Sequence, residues 1–214
     1  LARDASGGLP VGCSGGGGYT NREVAEASDV ILIHGNGCTR PRVYNMIRQV
    51  RGWDLGRPIV FNEDSQANGQ LGVTYPERVP WGSYNNMTQQ EPPTDWRILP
   101  GEDTFFARRM AEGIGIELPD LAFDEQFHLH GLEPHMEWEG MRWLRLASLH
   151  PETVDHVEYY RNGSLYYTAW DEPFSTHYTS NWSQGPVHVS PDDREWKAGV
   201  HLRDGDTVEK TATV

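Results

Sequence analysis

The sequence has few cysteines, few basic residues and no long apolar run. Two cysteines in 214 residues, Cys13 and Cys38, do not provide a disulfide framework, and we expect two free thiols. No stretch approaches the roughly 18 apolar residues that a membrane-spanning helix needs. Lys and Arg number 18 against 31 Asp and Glu, giving a formal net charge of -13. A charge of this sign disfavours nucleic acid and anionic membranes as partners, so we expect a globular protein that binds neither.

The first hundred residues alternate between strand and helix signals. The predicted strands are 9–14, 29–34, 57–61 and 79–84, and the predicted helices are 21–27, 39–50 and 102–112. In the last helix Phe106 and Met110 are expected to face inward. Strands that alternate with helices predict a parallel sheet with right-handed crossovers. The strand at 57–61 is apolar enough that burial on both faces is expected.

The character of the chain changes after the last predicted helix. Short alternating strands, such as 141–146, replace the helical period. The Asn162-Gly163 pair between two β-rich runs predicts one hairpin, and the turn at 204–206 predicts a second. We therefore expect an α/β domain at 1–116 and an antiparallel β-sandwich at 117–214.

Three polar residues follow the apolar strand at 57–61 directly. They are Asn62, Glu63 and Asp64. Polar groups at the C-terminal ends of parallel strands are where α/β folds place their chemistry. Glu63 is the first candidate for a catalytic carboxylate. The alternative is that Glu63 and Asp64 cap the next segment or face solvent.

The segments "LPVGCSGGGGYTN", "DVILIHGNG", "RPIVFNEDS" and "VPWGSYNN", followed by a β-sandwich, resemble the C-terminal half of a TIM-barrel glycoside hydrolase. The matching families place their catalytic acid after strand four and their nucleophile after strand seven. The resemblance implies a partial (β/α)8 barrel, with strands five to eight present here. It places Glu63 at the nucleophile position and Trp81 at the strand-eight position that often forms the floor of the sugar site.

The resemblance also implies a carbohydrate substrate and further contacts to it. The expected substrate-binding residues are His34, Asn36, Asn62, Asp64, Trp81 and Tyr84. Other interpretations stay open, because His34 could bond its own loop, and Trp81 and Tyr84 could simply pack in the core. No cofactor and no metal are expected. Location is undetermined, although a polysaccharide hydrolase would be extracellular or periplasmic.

The second carboxylate that glycoside hydrolysis requires is missing from the matched strands. Glu63 and Asp64 are not the pair, because neighbours on a strand point to opposite sides. Glu91 and Asp95 are interpreted as solvated residues of a Pro-rich loop. We therefore expect a second polypeptide, or an N-terminal segment not present here, to complete the barrel and supply the acid. Retention of configuration rests on the resemblance alone, and the sugar and linkage stay undetermined.

Three other functions were considered from the residues. Gly12-Cys13-Ser14-Gly15-Gly16 matches the nucleophile elbow of serine esterases, but the oxyanion-type loop follows it rather than preceding it. A non-catalytic carbohydrate-binding or structural module would use the same aromatic residues. Finally, His128, His130, His135 and Glu137 contain enough ligands for zinc, but scattered histidines in a His-rich chain are the favoured explanation.

Overall fold

The computed structural model describes residues 2–35, 38–64, 68–83, 98–133, 137, 139–177 and 185–214. The chain divides into two compact units, residues 1–85 and 86–214, which we call unit 1 and unit 2. The predicted domain boundary follows residue 116 and so assigns the helix at 102–113 to the first domain. In the structure this helix packs on strands of unit 2, and the division falls before it.

Unit 1 combines short helices with a parallel sheet. Its elements are α1 (Ala2–Ala5), α2 (Arg22–Ala27), β1 (Ile31–His34), α3 (Arg40–Arg51), β2 (Ile59–Asp64), α4 (Leu71–Thr74) and β3 (Trp81–Ser83). The strands are parallel and ordered β1-β2-β3. The first predicted strand is reduced to a single parallel bridge between Ser14 and Leu32. The sequence thus placed the parallel segments of unit 1 in the correct order.

Helix α3 shows why this part of the chain folds as predicted. Thr39 is its N-terminal cap residue in extended conformation, and a proline occupies the first turn, where no backbone N–H is needed. Val43 and Ile47 form a buried stripe one helical turn apart. That stripe packs against the face of the sheet that carries Ile33 and Phe61. Burial of this shared apolar surface fixes α3 behind β1 and β2.

The two faces of the parallel sheet differ in burial. Ile31 and Ile33 are buried, whereas Leu32 and Val60 are only partly buried and Asn62 is exposed. The expectation of burial on both faces was therefore wrong within the described residues. Apolar strands without polar alternation are ordinarily covered on both sides, so this half-covered face is a feature that any functional proposal has to explain.

Unit 2 is built mainly from antiparallel strands. Its elements are α5 (Glu102–Gly113), β4 (Phe127–His130), β5 (Met141–Arg142), β6 (Arg145–Ser148), β7 (Val154–Arg161), β8 (Ser164–Ala169), β9 (Val187–His188), β10 (Glu195–Leu202) and β11 (Thr207–Thr213). They form a four-stranded sheet ordered β11-β10-β7-β8 and two antiparallel pairs, β4-β6 and β5-β9. Both predicted hairpins are present, as β7-β8 and β10-β11.

One apolar core joins these sheets, with Trp196, Tyr159 and Leu144 among its most deeply buried side chains. The antiparallel strands are thus confirmed. Their assembly into a two-layer sandwich stays a prediction, and so does the partial barrel of unit 1. The predicted strand 141–146 is split between β5 and β6. Each part pairs with a different partner strand.

Helix α5 turns a different face inward than its sequence indicated. Phe105 is buried against Ala147 and Leu149, whereas Met110 is exposed. The reason is an ion pair between Glu102 and the fully buried Arg145, with 3.1 Å between Oε2 and Nη1. Holding Glu102 against β6 rotates the helix so that Phe105, one turn further on, meets the core.

No helix in the described part of the chain is both long and apolar enough to cross a membrane.

Candidate functional site

The C-terminal ends of β1 and β2 bring three predicted site residues together. The register runs Ile33 to Phe61 and then His34 to Glu63, so Asn62 is an extra residue in β2. The register of β2 against β3 shifts in the same way. From Phe61 to Asp64 strand β2 advances three residues, while β3 advances only two, from Trp81 to Ser83. Such a bulge re-aims side chains at the end of a strand. Here it places both Asn62 and Glu63 beside the His34 ring.

His34 lies between the other two side chains. Its Nε2 is 3.2 Å from Asn62 Nδ2, and its Nδ1 is 3.8 Å from Glu63 Oε2. When the Asn62 amide donates to Nε2, the imidazole proton is on Nδ1 and faces the Glu63 carboxylate. About 37% of the Glu63 side chain and 15% of the His34 side chain are exposed. Glu63 is therefore an accessible carboxylate with a donor beside it.

Asp64 and Trp81 form the other part of the site. The Trp81 indole Nε1 donates to Asp64 Oδ2 over 2.9 Å. Asp64 is completely buried, which differs from the predicted substrate-binding role because a ligand in solvent has no access to it. Trp81 is partly buried and packs against the core of unit 1, so core packing accounts for part of its environment.

The interior next to Asp64 contains a buried cysteine, Cys38, whose thiol is unreactive. Burial raises the pKa of the Cys38 thiol to about 11, and the negative charge of Asp64 adds to this effect. Gln70 donates to the Cys38 carbonyl at 2.5 Å. Cys13 is exposed, and neither cysteine forms a disulfide. A neutral, buried thiol is not a nucleophile at ordinary pH, so Cys38 does not compete with Glu63 as a reactive group.

Sequence reasoning missed Gly35 and Gln70. A Cβ atom at Gly35 would lie 2.7–2.8 Å from the Asp64 carboxyl group, so this position has no room for a side chain. The available signal was the glycine directly after an apolar strand, which often marks a close approach. Two predicted site residues, Asn36 and Tyr84, lie outside the described residues.

Comparison with known proteins gives only distant similarities. No protein-family model matches the chain, and no curated protein sequence matches it. Among solved structures it is similar to the endo-β-1,4-mannanase from Thermotoga petrophila, with 12% identity, a TM-score of 0.42, and coverage of 87% of this chain and 47% of that chain. It is also similar to the Clostridium perfringens spore cortex lytic enzyme SleM, with 10% identity, a TM-score of 0.25, and coverage of 86% and 67%. The chain thus spans about half the length of the mannanase.

Ser14 does not have the local structure of an esterase nucleophile. The residues that follow it form a turn, and the next helix, α2, begins only at Arg22. In the nucleophile elbow the helix begins at the nucleophile itself. The geometry therefore counts against the esterase interpretation.

His128 and His130 meet Glu133 in unit 2, but they are not arranged as metal ligands. The backbone N–H of Glu102 donates to His130 Nε2 over 3.0 Å, so the neutral ring carries its proton on Nδ1. That Nδ1 faces Glu133 Oε1 at 3.5 Å, and His128 Nε2 lies 3.1 Å from the same oxygen. His130 then has no lone pair to offer a metal. His135 of the predicted set lies outside the described residues.

A second histidine cluster, His156, Glu158 and His201, lies on the four-stranded sheet. The two imidazoles stack with centroids 4.2 Å apart and planes within 8° of parallel. Lone pairs on nitrogen lie in the ring plane, so two parallel planes do not direct them to one ion. Glu158 instead accepts hydrogen bonds from Tyr160 at 2.6 Å and from the His201 ring at 3.2 Å. Both clusters are hydrogen-bonded networks, and the first includes the buried His130.

A cavity of about 350 Å³ opens at the N-terminal ends of β1 and β2. Its lining includes Arg51, Arg57 and Asp54. Arg51 is paired with Glu77, and Arg57 donates to backbone carbonyls after α2. Arg78 also lines this cavity, which lies at the opposite end of the strands from Glu63.

Proposed function

We propose that unit 1 carries part of a glycoside hydrolase site, with Glu63 as the nucleophile. The observation that carries this proposal is an accessible carboxylate beside an imidazole at the C-terminal ends of β1 and β2. A partly buried indole on the neighbouring strand is bonded to the next residue, Asp64. Carboxylates do the chemistry of glycoside hydrolysis, and an aromatic ring is a suitable surface for the apolar face of a sugar.

In the proposed reaction Glu63 attacks the anomeric carbon and the bond to the leaving oxygen breaks. A second carboxyl group protonates that oxygen, and water later releases the sugar from Glu63 with this group acting as base. The His34 imidazole lies 3.8 Å from Glu63 Oε2, and in the reaction it would favour the ionised carboxylate electrostatically. The indole of Trp81 contacts the sugar ring. Retention of configuration follows from the assignment of Glu63 as nucleophile.

The proposal requires a partner for the acid. Asp64 does not supply it, because it is buried and bonded to Trp81. The half-covered face of the sheet, with Leu32 and Val60 partly buried, is apolar surface of the kind that the other strands of a barrel would cover. We therefore propose that a second polypeptide, or another segment of a longer chain, completes the barrel and brings the acid.

The decisive test is Glu63→Gln in the complete assembly, assayed for release of reducing sugar from a panel of polysaccharides. Removing the nucleophile is expected to lower turnover by at least about a thousandfold, with folding and sugar affinity nearly unchanged. Glu26→Gln is the matched control, since Glu26 sits on α2 in an exposed ion pair with Arg22. Turnover by Glu63→Gln at more than a few per cent of the control would remove Glu63 from this role.

A carbohydrate-binding module without catalysis is the second candidate. The observation in its favour is that Glu63 is accessible while the adjacent Asp64 is buried, so this residue run offers one carboxylate to a ligand where hydrolysis needs two. Binding that persists in both Glu63→Gln and wild-type protein, with no turnover in any assembly, would favour this candidate.

A further inference from the structure

We infer that Asp64 is a positioning residue that fixes the plane of the Trp81 indole, and that Gly35 is required beside it. The consequence for sugar contact rests on the proposed function, whereas the positioning itself does not. Three observations support the inference. They are the buried hydrogen bond between Asp64 and Trp81, the space that the Asp64 carboxylate occupies, and the register of the strands that carry both residues.

The hydrogen bond has an unambiguous donor and acceptor. An indole N–H only donates and a carboxyl oxygen accepts, and 2.9 Å is an ordinary distance for this pair. Asp64 has no exposed surface, so water does not compete for this hydrogen bond. An indole has one polar atom, so a strong bond at Nε1 determines how the ring is turned about its side-chain torsions.

The position of the carboxylate depends on the residue next to it in space. A Cβ atom at Gly35 would lie 2.7 Å from Asp64 Cγ and Oδ2 and 2.8 Å from Oδ1. The Gly35 N–H also donates to the Glu63 carbonyl over 3.0 Å, which keeps this backbone against β2. Contacts this short cannot persist, so we expect a side chain at position 35 to displace the Asp64 carboxyl group from the indole.

Strand register places this pair beside the proposed nucleophile. Asp64 follows Glu63 directly, and its Cα partner on β3 is Ser83, two residues after Trp81. The bulge in β2 turns Glu63 toward His34 while Asp64 stays inside. Asp64 thus ties the aromatic surface of β3 to the strand that presents the catalytic carboxylate, without contacting a substrate.

The test is the indole ¹H–¹⁵N resonance of Trp81 in the full chain, labelled at tryptophan and assigned by its loss in Trp81→Phe. In wild-type protein we expect hydrogen exchange at this indole to be at least about tenfold slower than at Trp170, whose side chain is exposed. Asp64→Ala and Gly35→Ala should both shift the resonance and remove most of that protection. Asp64→Asn should keep protection, because its amide oxygen still accepts.

Gly72→Ala is the matched control for Gly35→Ala, since a Cβ at Gly72 meets nothing within 4 Å. In a second, uniformly ¹⁵N-labelled sample, the backbone amides of Ile33 and Phe61 report whether the sheet is intact. An unchanged Trp81 resonance in a folded Gly35→Ala protein would overturn the inference. So would an indole that exchanges as fast in wild-type protein as in Asp64→Ala.

The effect on a substrate separates this inference from the proposed function. In the complete assembly Gly35→Ala is expected to raise KM several-fold more than it lowers kcat. A loss confined to kcat would contradict sugar contact as the task of the indole. Activity that survives Glu63→Gln would refute the nucleophile assignment and leave the indole result untouched.

Discussion

At the scale of single residues, neighbouring acids in this chain have opposite environments. Glu63 is partly exposed beside His34, whereas Asp64 is completely buried beside Trp81. Alternation along a strand predicts that two neighbours face opposite sides, and the sequence analysis used this rule to reject them as a catalytic pair. The rule does not say which acid faces solvent. That depends on the bulge at Asn62, which has no signal in the sequence.

Burial of His130 leads to a prediction about pH. Burial lowers the pKa of His130 to about 4 from an ordinary 6.5, which outweighs the raising effect of Glu133. Between these values the unfolded chain binds more protons than the folded one, so the free energy of unfolding falls as the pH is lowered from 6.5 toward 4. From pH 7 to pH 5 this residue should account for a loss of about 2 kcal/mol.

His130→Gln should therefore reduce the difference in urea-unfolding free energy between pH 7 and pH 5 by about that 2 kcal/mol. The exposed His188 offers a control, because His188→Gln should leave the difference unchanged. The prediction is wrong if His130→Gln and wild-type protein lose the same stability on acidification. Glu133 acts in the same sense at lower pH. Desolvation raises the pKa of Glu133, but hydrogen bonds from His128, His130 and the backbone lower it by a larger amount, so the net shift is downward.

At the scale of elements, local signals predicted turns and strands well and predicted helix orientation poorly. The β7-β8 hairpin has its turn where the Asn-Gly pair predicts it, with φ of 50° at Asn162 and 81° at Gly163. Both values are positive, as a type I′ turn requires. Helix α5 also begins and ends close to the predicted residues. Its inward face was mispredicted because the Glu102 ion pair with Arg145 is a long-range contact.

Asn162 also ties its turn to the segment before β10. Its Oδ1 accepts from the backbone N–H groups of Arg194 at 2.9 Å and Glu195 at 3.2 Å, and its Nδ2 donates to the Asp192 carbonyl at 2.9 Å. Asn162→Ala loses these hydrogen bonds. Alanine is also less stable than asparagine in the left-handed conformation that residue 162 adopts. A destabilisation of about 2–3 kcal/mol is expected in urea unfolding.

Asn162→Asp is the control for that experiment. Aspartate keeps both accepted bonds and tolerates the left-handed conformation, so it should cost less than half as much. Equal destabilisation by the two variants would show that the side-chain bonds to 194 and 195 contribute nothing measurable.

At the scale of the whole molecule, the open question is what covers the parallel sheet. Within the described residues β3 pairs only with β2, and the segment at Ser14 makes a single bridge to Leu32. Unpaired edges and a half-covered apolar face are features that proteins normally protect. A second polypeptide or further segment that completes the barrel, as proposed above, would pair with the strand edges and cover the apolar face.

Native mass spectrometry of the protein as purified from its source tests this directly. We expect a mass well above the 24.2 kDa of this chain, from a tightly held second polypeptide or from a longer chain that contains this sequence. A species of 24.2 kDa, or a homo-oligomer of it, would contradict the complemented barrel and would leave carbohydrate binding as the favoured function.

The sequence by itself determined the order of the parallel segments, the positions of both hairpins and the one residue run that ends at the candidate site. These features depend on interactions between near neighbours in the chain, where apolar period and turn chemistry act. The tertiary structure decided that Glu63 is accessible while Asp64 anchors Trp81, that Gly35 leaves room for a carboxylate, and that α5 packs with the second unit. Each of these depends on contacts between residues far apart in sequence. The one local signal, a glycine directly after an apolar strand, does not say which group approaches it.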